Sequence, residues 1–413
     1  MRTEMYNTVF IVIIAVLVFG YLLEQVLDLL NLKHTVTRLP EELEGIYDAE
    51  EYRNSQLYKR DNTRFSFVTS TLSLVVITVI FFTGGFGWLD RCISGFISNY
   101  ILFVLLFFGL LALAGDILTT PFALYSTFVI EERYGFNRTT PKTFLLDKLK
   151  GWLLGLVIGG GLLALVTWIY MRTGPWFWLV VLGVITLFSL FMTMFYSNLI
   201  VPLFNKQTPL EEGSLRAKIE AFAKGVKFRL DNIFVMDGSK RSSKANAYFT
   251  GLGPKKRIVL FDTLIRDLKE EEIVAVLAHE VGHYKKRHTL SGLLLSLLQT
   301  ALTLYLFSLF VGEDSFAVAL GGTKASFHLG LIAFGILYSP ISTLLGIGSN
   351  LFSRRNEYQA DRYARRHYGG EQLISSLKVL SRNNLSNLTP HPAYVFVHYS
   401  HPTLLQRIRA LQV

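Results

Sequence analysis

Seven stretches of the chain contain no Asp, Glu, Lys or Arg: residues 5–23, 65–89, 92–115, 151–171, 173–205, 289–312 and 325–353. Each is long enough to cross a bilayer as helix, which takes about 20 residues. Backbone groups in lipid find no water, so each stretch is predicted to satisfy them internally as a membrane helix. The first runs past Glu24 into further apolar sequence without a small-residue cleavage site, so it is expected to stay as an anchor. Between residues 205 and 289 the pattern changes. Ile233–Met236, Ala247–Thr250 and Arg257–Phe261 read as short strands. Residues 269–283 place Ile273, Val276, Leu277 and Val281 at helical spacing, with Asp267 and Glu270 as the expected capped start. Thr208-Pro209-Leu210-Glu211 reads as the capping-box start of an amphipathic helix through about Lys224. The charged segment 31–64, with Pro40 and an acidic run, reads as a structured hairpin or helix at the membrane surface.

The expected organisation is a five-span membrane region over residues 1–203. A second region over 204–413 is interrupted by spans six and seven, at about 289–312 and 325–350. Composition agrees with a membrane protein: 51% of residues are hydrophobic and only 17% charged, against about 25% charged in soluble domains. Charge then sets orientation. Lys33, Arg38, Arg53, Lys59, Arg60 and Arg64 lie between spans one and two, and Arg133, Arg138, Lys142, Lys148 and Lys150 between three and four. The intervening loops hold Arg91, Arg172 and Lys324 alone. The basic loops are therefore expected in the cytoplasm and the amino terminus outside. The same asymmetry accounts for the net charge of +10 and removes the reason to invoke nucleic acid. Asp116, costly in lipid, is expected to face protein or water. Cys92 is the single cysteine, which excludes an internal disulfide and a cysteine-based metal site.

Against this background His279-Glu280-Val281-Gly282-His283 carries the chemistry. Residues four apart share one helix face, so both imidazoles can meet one metal while Glu280 sits beside them as a general base. Two histidines do not complete a catalytic zinc site, which takes three protein ligands and leaves a place for water. Asn356-Glu357-Tyr358-Gln359-Ala360-Asp361 offers the third. Glu357 would bind the single zinc ion, and Asp361, one turn on, would accept the outer ring hydrogen of His279. The competing reading pairs both carboxylates with Arg354, Arg355, Arg362 or Arg365 at the surface. His283 lies only about 9 Å of helix before the sixth span, so substrates are expected to arrive extended and close to lipid. Residues 247–250 could bind a peptide as an edge strand, whereas Asn246 alone reads equally well as a turn residue. His401 precedes Pro402, a common helix opener, which would put its imidazole at a positive helix end, and His398 could serve the same argument. His34, His288, His328, His367 and His391 read as surface, interface or packing residues.

Taken with these residues, the chain resembles the type I CAAX prenyl proteases, membrane zinc metalloproteases of the HExxH gluzincin type, over nearly its whole length. The resemblance rests on HEVGH at His279, NEYQAD at Asn356, SHPTLLQRI at Ser400, IEERYGFN at Ile130, VPLFNKQTPL at Val201 and DGSKRSSKANAYFTG at Asp237. It implies a mainly α membrane protein, seven transmembrane helices around a large water-filled chamber, with a cytoplasmic-side zincin-like α+β metalloprotease region. It also implies that His279, His283 and Glu357 bind zinc, that Glu280 is the catalytic base, and that Asn246 and Ala247 hold the substrate backbone. His401, helped by Arg407, would contact the reacting carbonyl. The expected function is cleavage near the carboxyl terminus of prenylated CAAX-type or other membrane-associated substrates. The alternatives are a broad-specificity quality-control protease of the membrane, and a transporter or receptor with structural zinc, although the spans lack the paired charges of a transport path. The chain ends Leu411-Gln412-Val413 without a dilysine signal and its loops are compact, so the expected location is a bacterial inner membrane or the endoplasmic reticulum, and in the former a prenylated substrate would not be a given.

Overall fold

A computed structural model describes residues 5–34, 39–228, 233–250 and 257–413. Gly251, the last residue of one of the family motifs above, and Arg38 lie outside the described residues. Among the described residues, six helices are long and apolar enough to cross a membrane: Thr8–Lys33, Ala49–Thr83, Tyr100–Glu131, Pro141–Phe204, His288–Phe310 and Phe327–His367. The fourth has 64 residues, about 96 Å if straight and far too long for one crossing. It breaks at Gly174, where φ is +52°, followed by a 3-10 turn at Gly174–Trp176. The rings of Tyr170 and Phe177 then meet edge-on at 5.5 Å across the break. Two of the seven apolar runs therefore lie on one continuous segment bent at Gly174, so the six apolar stretches counted among the described residues hold the seven expected runs.

The second run also ends sooner than its composition suggests. Gly84 takes φ +69° and closes Ala49–Thr83, and a separate helix, Gly85–Ser94, follows. A Cβ on Gly87 would lie 2.0 Å from the Gly321 carbonyl oxygen, so this short helix can approach that loop only with glycine there. On the opposite face of the membrane, residues 39–64 of the charged segment form a short 3-10 turn at Glu41–Leu43 and then a helix. That helix is the start of Ala49–Thr83, capped by Asp48, whose side chain accepts from Glu51 N–H at 2.8 Å while Glu51 accepts from Asp48 N–H at 3.2 Å. Phe10, Ile13, Phe81, Phe107, Phe177 and Phe327 form the interior of the helical layer. Leu187, Leu298 and Leu344, each 69% exposed, face outward, as lipid-facing side chains do. Asp116 meets Lys148 at 2.7 Å, so this intramembrane carboxylate has a structural partner.

Outside the membrane, four strands among the described residues form one sheet in the order β1-β2-β4-β3: β1 Gln207–Pro209, β2 Ile233–Met236, β3 Ala247–Thr250 and β4 Arg257–Phe261. The three strands expected from sequence fall at the expected places. The expected helix start at Thr208 does not: Thr208 pairs with Val235 in an antiparallel ladder, Leu210 N–H donates to Ile233, and the helix runs from Ser214 to Gly225. Here strand pairing takes the backbone groups that a helix cap would have used. The helix bearing the two histidines spans Glu270–Lys285 and is entered at Lys269, whose N–H donates to Glu272 Oε2 at 2.8 Å. Asp267, the expected cap, instead ends the preceding helix Asp262–Asp267, pairing with Arg266 at 2.8 Å and accepting from Asn383 at 3.0 Å.

Phe327–His367 is one unbroken helix of 41 residues, about 60 Å long and twice the depth of the hydrocarbon layer. Its first part is the last span, and its second part carries Glu357 and Asp361 out of the membrane to lie against Glu270–Lys285. A site whose residues lie far apart in sequence is assembled by this rigid projection.

Candidate metal centre

Gly282 sets the spacing between these two helices. An added Cβ there would lie 3.0 Å from Tyr363 Cβ and 3.1 Å from the Cα and carbonyl oxygen of Ala360. Gly282→Ala should therefore force the helices apart, destabilising the fold by about 1–3 kcal/mol. It should also weaken metal binding, because Glu357 rides on the helix that is displaced. A metal competition titration beside a melting curve checks this, and an alanine variant with unchanged affinity and midpoint would show that the contact has slack.

At this crossing the donors converge. His279 Nε2 lies 3.0 Å from His283 Nε2 and 3.4 Å from Glu357 Oε2, and His283 Nε2 lies 3.2 Å from Glu357 Oε1. A tetrahedral ion with bonds of about 2.0–2.1 Å holds its ligand atoms about 3.3 Å apart. Among the described residues, His279, His283 and Glu357 are the one group of three or more such side chains arranged to hold a metal ion. Glu357 Oε2 is buried and, among the described residues, has no hydrogen-bond partner. A buried carboxylate oxygen in that state is costly unless a cation completes it, so the residues fit a metal. The surface pairing of Glu357 with neighbouring arginines is excluded by its burial, 4% exposed.

The outer partners are as ordered as the donors. Asp361 Oδ1 lies 2.8 Å from His279 Nδ1, which fixes Nε2 as the nitrogen facing the centre. Arg407 Nε and Nη2 donate to the two oxygens of Asp361 at 2.9 and 2.6 Å, and Nη1 lies 3.7 Å from Glu357. Burial disfavours the charged His279 ring, but the Asp361 and Glu357 carboxylates outweigh it and hold its pKa up at about 9. Burial likewise opposes the Arg407 charge, and Asp361 more than compensates. His283 is oriented by His288, whose sequence position alone reads as surface, interface or packing. His288 Nδ1 lies 3.0 Å from His283 Nδ1, and its other nitrogen lies 3.4 Å from Gln359 Oε1. His283 can thus donate to His288 and His288 to Gln359, leaving His283 Nε2 free for the centre. The left-handed turn at Arg287, φ +58°, brings His288 back onto the site.

A cavity of about 750 Å³ opens onto the donors and is lined by Glu280, His401, Asn246, Ala247 and Tyr248 among others. Glu280 is partly exposed in its wall and makes no hydrogen bond or ion pair among the described residues. His401 Nε2 lies 3.4 Å from Glu357 Oε1, whereas His398 pairs with Glu24 at 3.2 Å, so geometry separates the two candidates. The helix-end argument for His401 fails: the helix is Leu404–Gln412 with Thr403 as its cap, and Pro402 lies before it.

β3 is an edge of the sheet. Phe261 N–H donates to the Asn246 carbonyl at 3.1 Å, so the alternation of an antiparallel ladder turns the N–H and carbonyl of Ala247 toward the open edge. The Asn246 side chain now accepts from that N–H at 2.8 Å. The loop before β3 is pinned to membrane-proximal segments: Lys244 meets Glu131 at 3.0 Å and Tyr58 at 2.9 Å, and Arg241 makes a two-pronged contact with Asp147 at 2.7 and 2.8 Å. Two family motifs that sequence left unconnected, at Ile130 and Asp237, thus form one support for the edge strand.

Residues 28–206 match the family model described as CAAX prenyl protease N-terminal, five membrane helices, and residues 209–413 match that of peptidase family M48. The chain belongs to the CAAX prenyl protease family. This protease is 37% identical to a CAAX prenyl protease 1 homolog of Arabidopsis thaliana, over 97% of the chain and 96% of that protein. It is 34% identical to the Homo sapiens CAAX prenyl protease 1 homolog, over 92% and 89%. The fold is that of the crystal structure of S. mikatae Ste24p, with a TM-score of 0.93, 34% identity, and 98% and 100% of the two chains covered. It is therefore a multi-pass membrane metalloprotease of the CAAX-processing type, acting on a peptide or protein substrate.

Proposed function

We propose that this protease binds one zinc ion through His279, His283 and Glu357 and cleaves peptide bonds near the carboxyl terminus of prenylated CAAX-type or other membrane-associated substrates. The observation that carries this reading is the convergence of the three donors, at tetrahedral spacing, on a cavity that also exposes the Ala247 edge. Zinc, when bound, supplies Lewis acidity and an acidified water. Glu280, unpartnered beside the donors, accepts the water's proton and delivers it to the leaving amine. The substrate backbone extends β3, held by Ala247 and by Asn246 once its side chain turns from the Ala247 N–H to the substrate. His401 contacts the reacting carbonyl. Arg407, aligned by Asp361, acts from behind Glu357 by fixing the carboxylates and offsetting their charge.

Prenyl recognition is supported by the reach of the same cavity. It continues between the last two spans to Leu295, Gln299 and Phe352, and Gln299 is about 16 Å of helix deeper than His288. An apolar chain attached beside the scissile bond therefore has somewhere to lie. The basic loops put the catalytic side in the cytoplasm and the amino terminus outside, in the endoplasmic reticulum or a bacterial inner membrane. The five-span region is taken to end at 203 and the protease region to fill 204–413; neither carries a nucleic-acid role.

The test is cleavage of a prenylated peptide ending in Cys-aliphatic-aliphatic-X beside its unprenylated twin. Burying even two methylenes is worth about 1.6 kcal/mol, so the prenylated peptide should be cut at least about tenfold more efficiently. Equal efficiency would move the substrate class to unfolded membrane proteins in general, and failure of a metal-loaded protein to cut either would overturn the assignment.

A further inference from the structure

The long helix that carries Glu357 has a second organised face. At about 100° per residue, Arg355 and Arg362 lie about 140–160° around the helix from Glu357, on one stripe with Leu351 and Tyr358. That stripe forms a wall of a separate cavity of about 980 Å³, whose other walls are the helix Pro392–His398, the carboxyl-terminal helix, and the end of the first span at His34.

Its depth is set by the sequence. The uncharged run of the last span ends at Ser353, so Arg354 and Arg355 stand at the membrane boundary, and Arg362 is about 10 Å further out. Pro392–His398 lies at the same level: Asn350 Nδ2 donates to the Val397 carbonyl at 2.7 Å, and His398 pairs with Glu24 of the first span at 3.2 Å. Leu351, 48% exposed, and Phe396, 50% exposed, give the cavity an apolar rim.

Its charge is one-sided. Arg354, Arg355, Arg362, Arg409 and His34 line it, and among the described residues no Asp or Glu does. Arg409 is paired with Glu42 at 2.7 Å. Arg354 is fixed by the carbonyls of Val395 and Tyr399, which hold the guanidinium in place without neutralising it. Arg355 and Arg362 have no hydrogen-bond or ion-pair partner among the described residues. The positive-inside rule accounts for arginines at this level of the chain. It does not account for their convergence on one groove, with one guanidinium already locked in orientation and an apolar rim on the bilayer side.

We infer that this groove binds an anionic glycerophospholipid from the leaflet on the side of the metal centre. Its phosphate would lie between Arg354 and Arg355, a charged headgroup would extend toward Arg362, and its acyl chains would run down past Leu351 and Phe396. A membrane lipid is favoured over a soluble phosphate because the cations and the apolar rim meet at the bilayer boundary, where a lipid presents both chemistries together.

The experiment is native mass spectrometry of the purified full-length protein, released from detergent with phosphatidylglycerol or phosphatidylcholine at matched concentration. Wild type is expected to retain phosphatidylglycerol about tenfold better, and Arg355→Gln with Arg362→Gln should erase that preference. Arg355→Lys with Arg362→Lys should keep most of it, and all variants should keep their metal content, which checks folding. Equal retention of the two lipids by wild type, or an undiminished preference in the glutamine pair, would overturn the proposal. Displacement of phosphatidylglycerol by inorganic phosphate at equal concentration would also overturn it, by showing a soluble-anion site.

Discussion

Glu280→Gln is expected to leave the metal in place and to lower kcat by about 10²–10⁴, the usual contribution of a positioned general base. The carboxylate lies one residue after a donor histidine, partly exposed in the cavity wall and free of other partners among the described residues. An amide has the same shape and the same helix preference but takes no proton at neutral pH. The donors, their spacing and the outer hydrogen bonds to Asp361 and His288 involve no atom of Glu280, so metal content should be unchanged. His283→Ala, by contrast, removes a donor and should lose metal and hydrolysis together. Metal quantified alongside kcat for both variants separates the roles, and a metal-loaded Gln variant with wild-type turnover would remove Glu280 from the mechanism.

How much of this site could be read from the chain depended on how local each constraint was. His279 and His283 are one helical turn apart, and so are Glu357 and Asp361, so the helical period alone put each pair on a common face. The strands around Ala247 were legible for the same reason: three or four consecutive apolar residues bounded by polar ones. Contacts made through a change of direction were not. His288 reaches His283 only because the chain turns left-handed at Arg287, a conformation that the residue type does not announce. Thr208-Pro209 had the pattern of a helix start, but β2 supplied a ladder that used it as strand. Pro402 had the pattern of a first helical residue, but the reciprocal Thr403 and Gln406 cap moved the start past it. The two crossings within Pro141–Phe204 follow one another across a single glycine at positive φ, a bend that an unbroken apolar pattern does not announce. The motif at Ile130 was recognisable but mute until Glu131 was seen to meet Lys244.

Asp361→Ala should be the most damaging change outside the donors themselves, because one carboxylate serves two dependants. It is 1% exposed, holds His279 Nδ1 at 2.8 Å, and takes both prongs of the Arg407 guanidinium. Removing one member of a buried pair leaves the other charge uncompensated, which costs about 3–5 kcal/mol. Losing the hydrogen bond that orients a donor imidazole lowers metal affinity by about 10–100-fold. The two effects can be separated. In the double variant Asp361→Leu with Arg407→Met neither buried charge remains, so the melting midpoint of metal-stripped protein should recover most of the loss. Metal affinity should stay low, because nothing then selects the His279 tautomer. Asp361→Asn should fall between, since an amide oxygen can still accept from His279 but brings no negative charge to Arg407. Thermal melts of stripped protein and metal competition on all three variants decide the matter. If the double variant regains affinity as well as stability, Asp361 serves to neutralise Arg407 and does not orient His279.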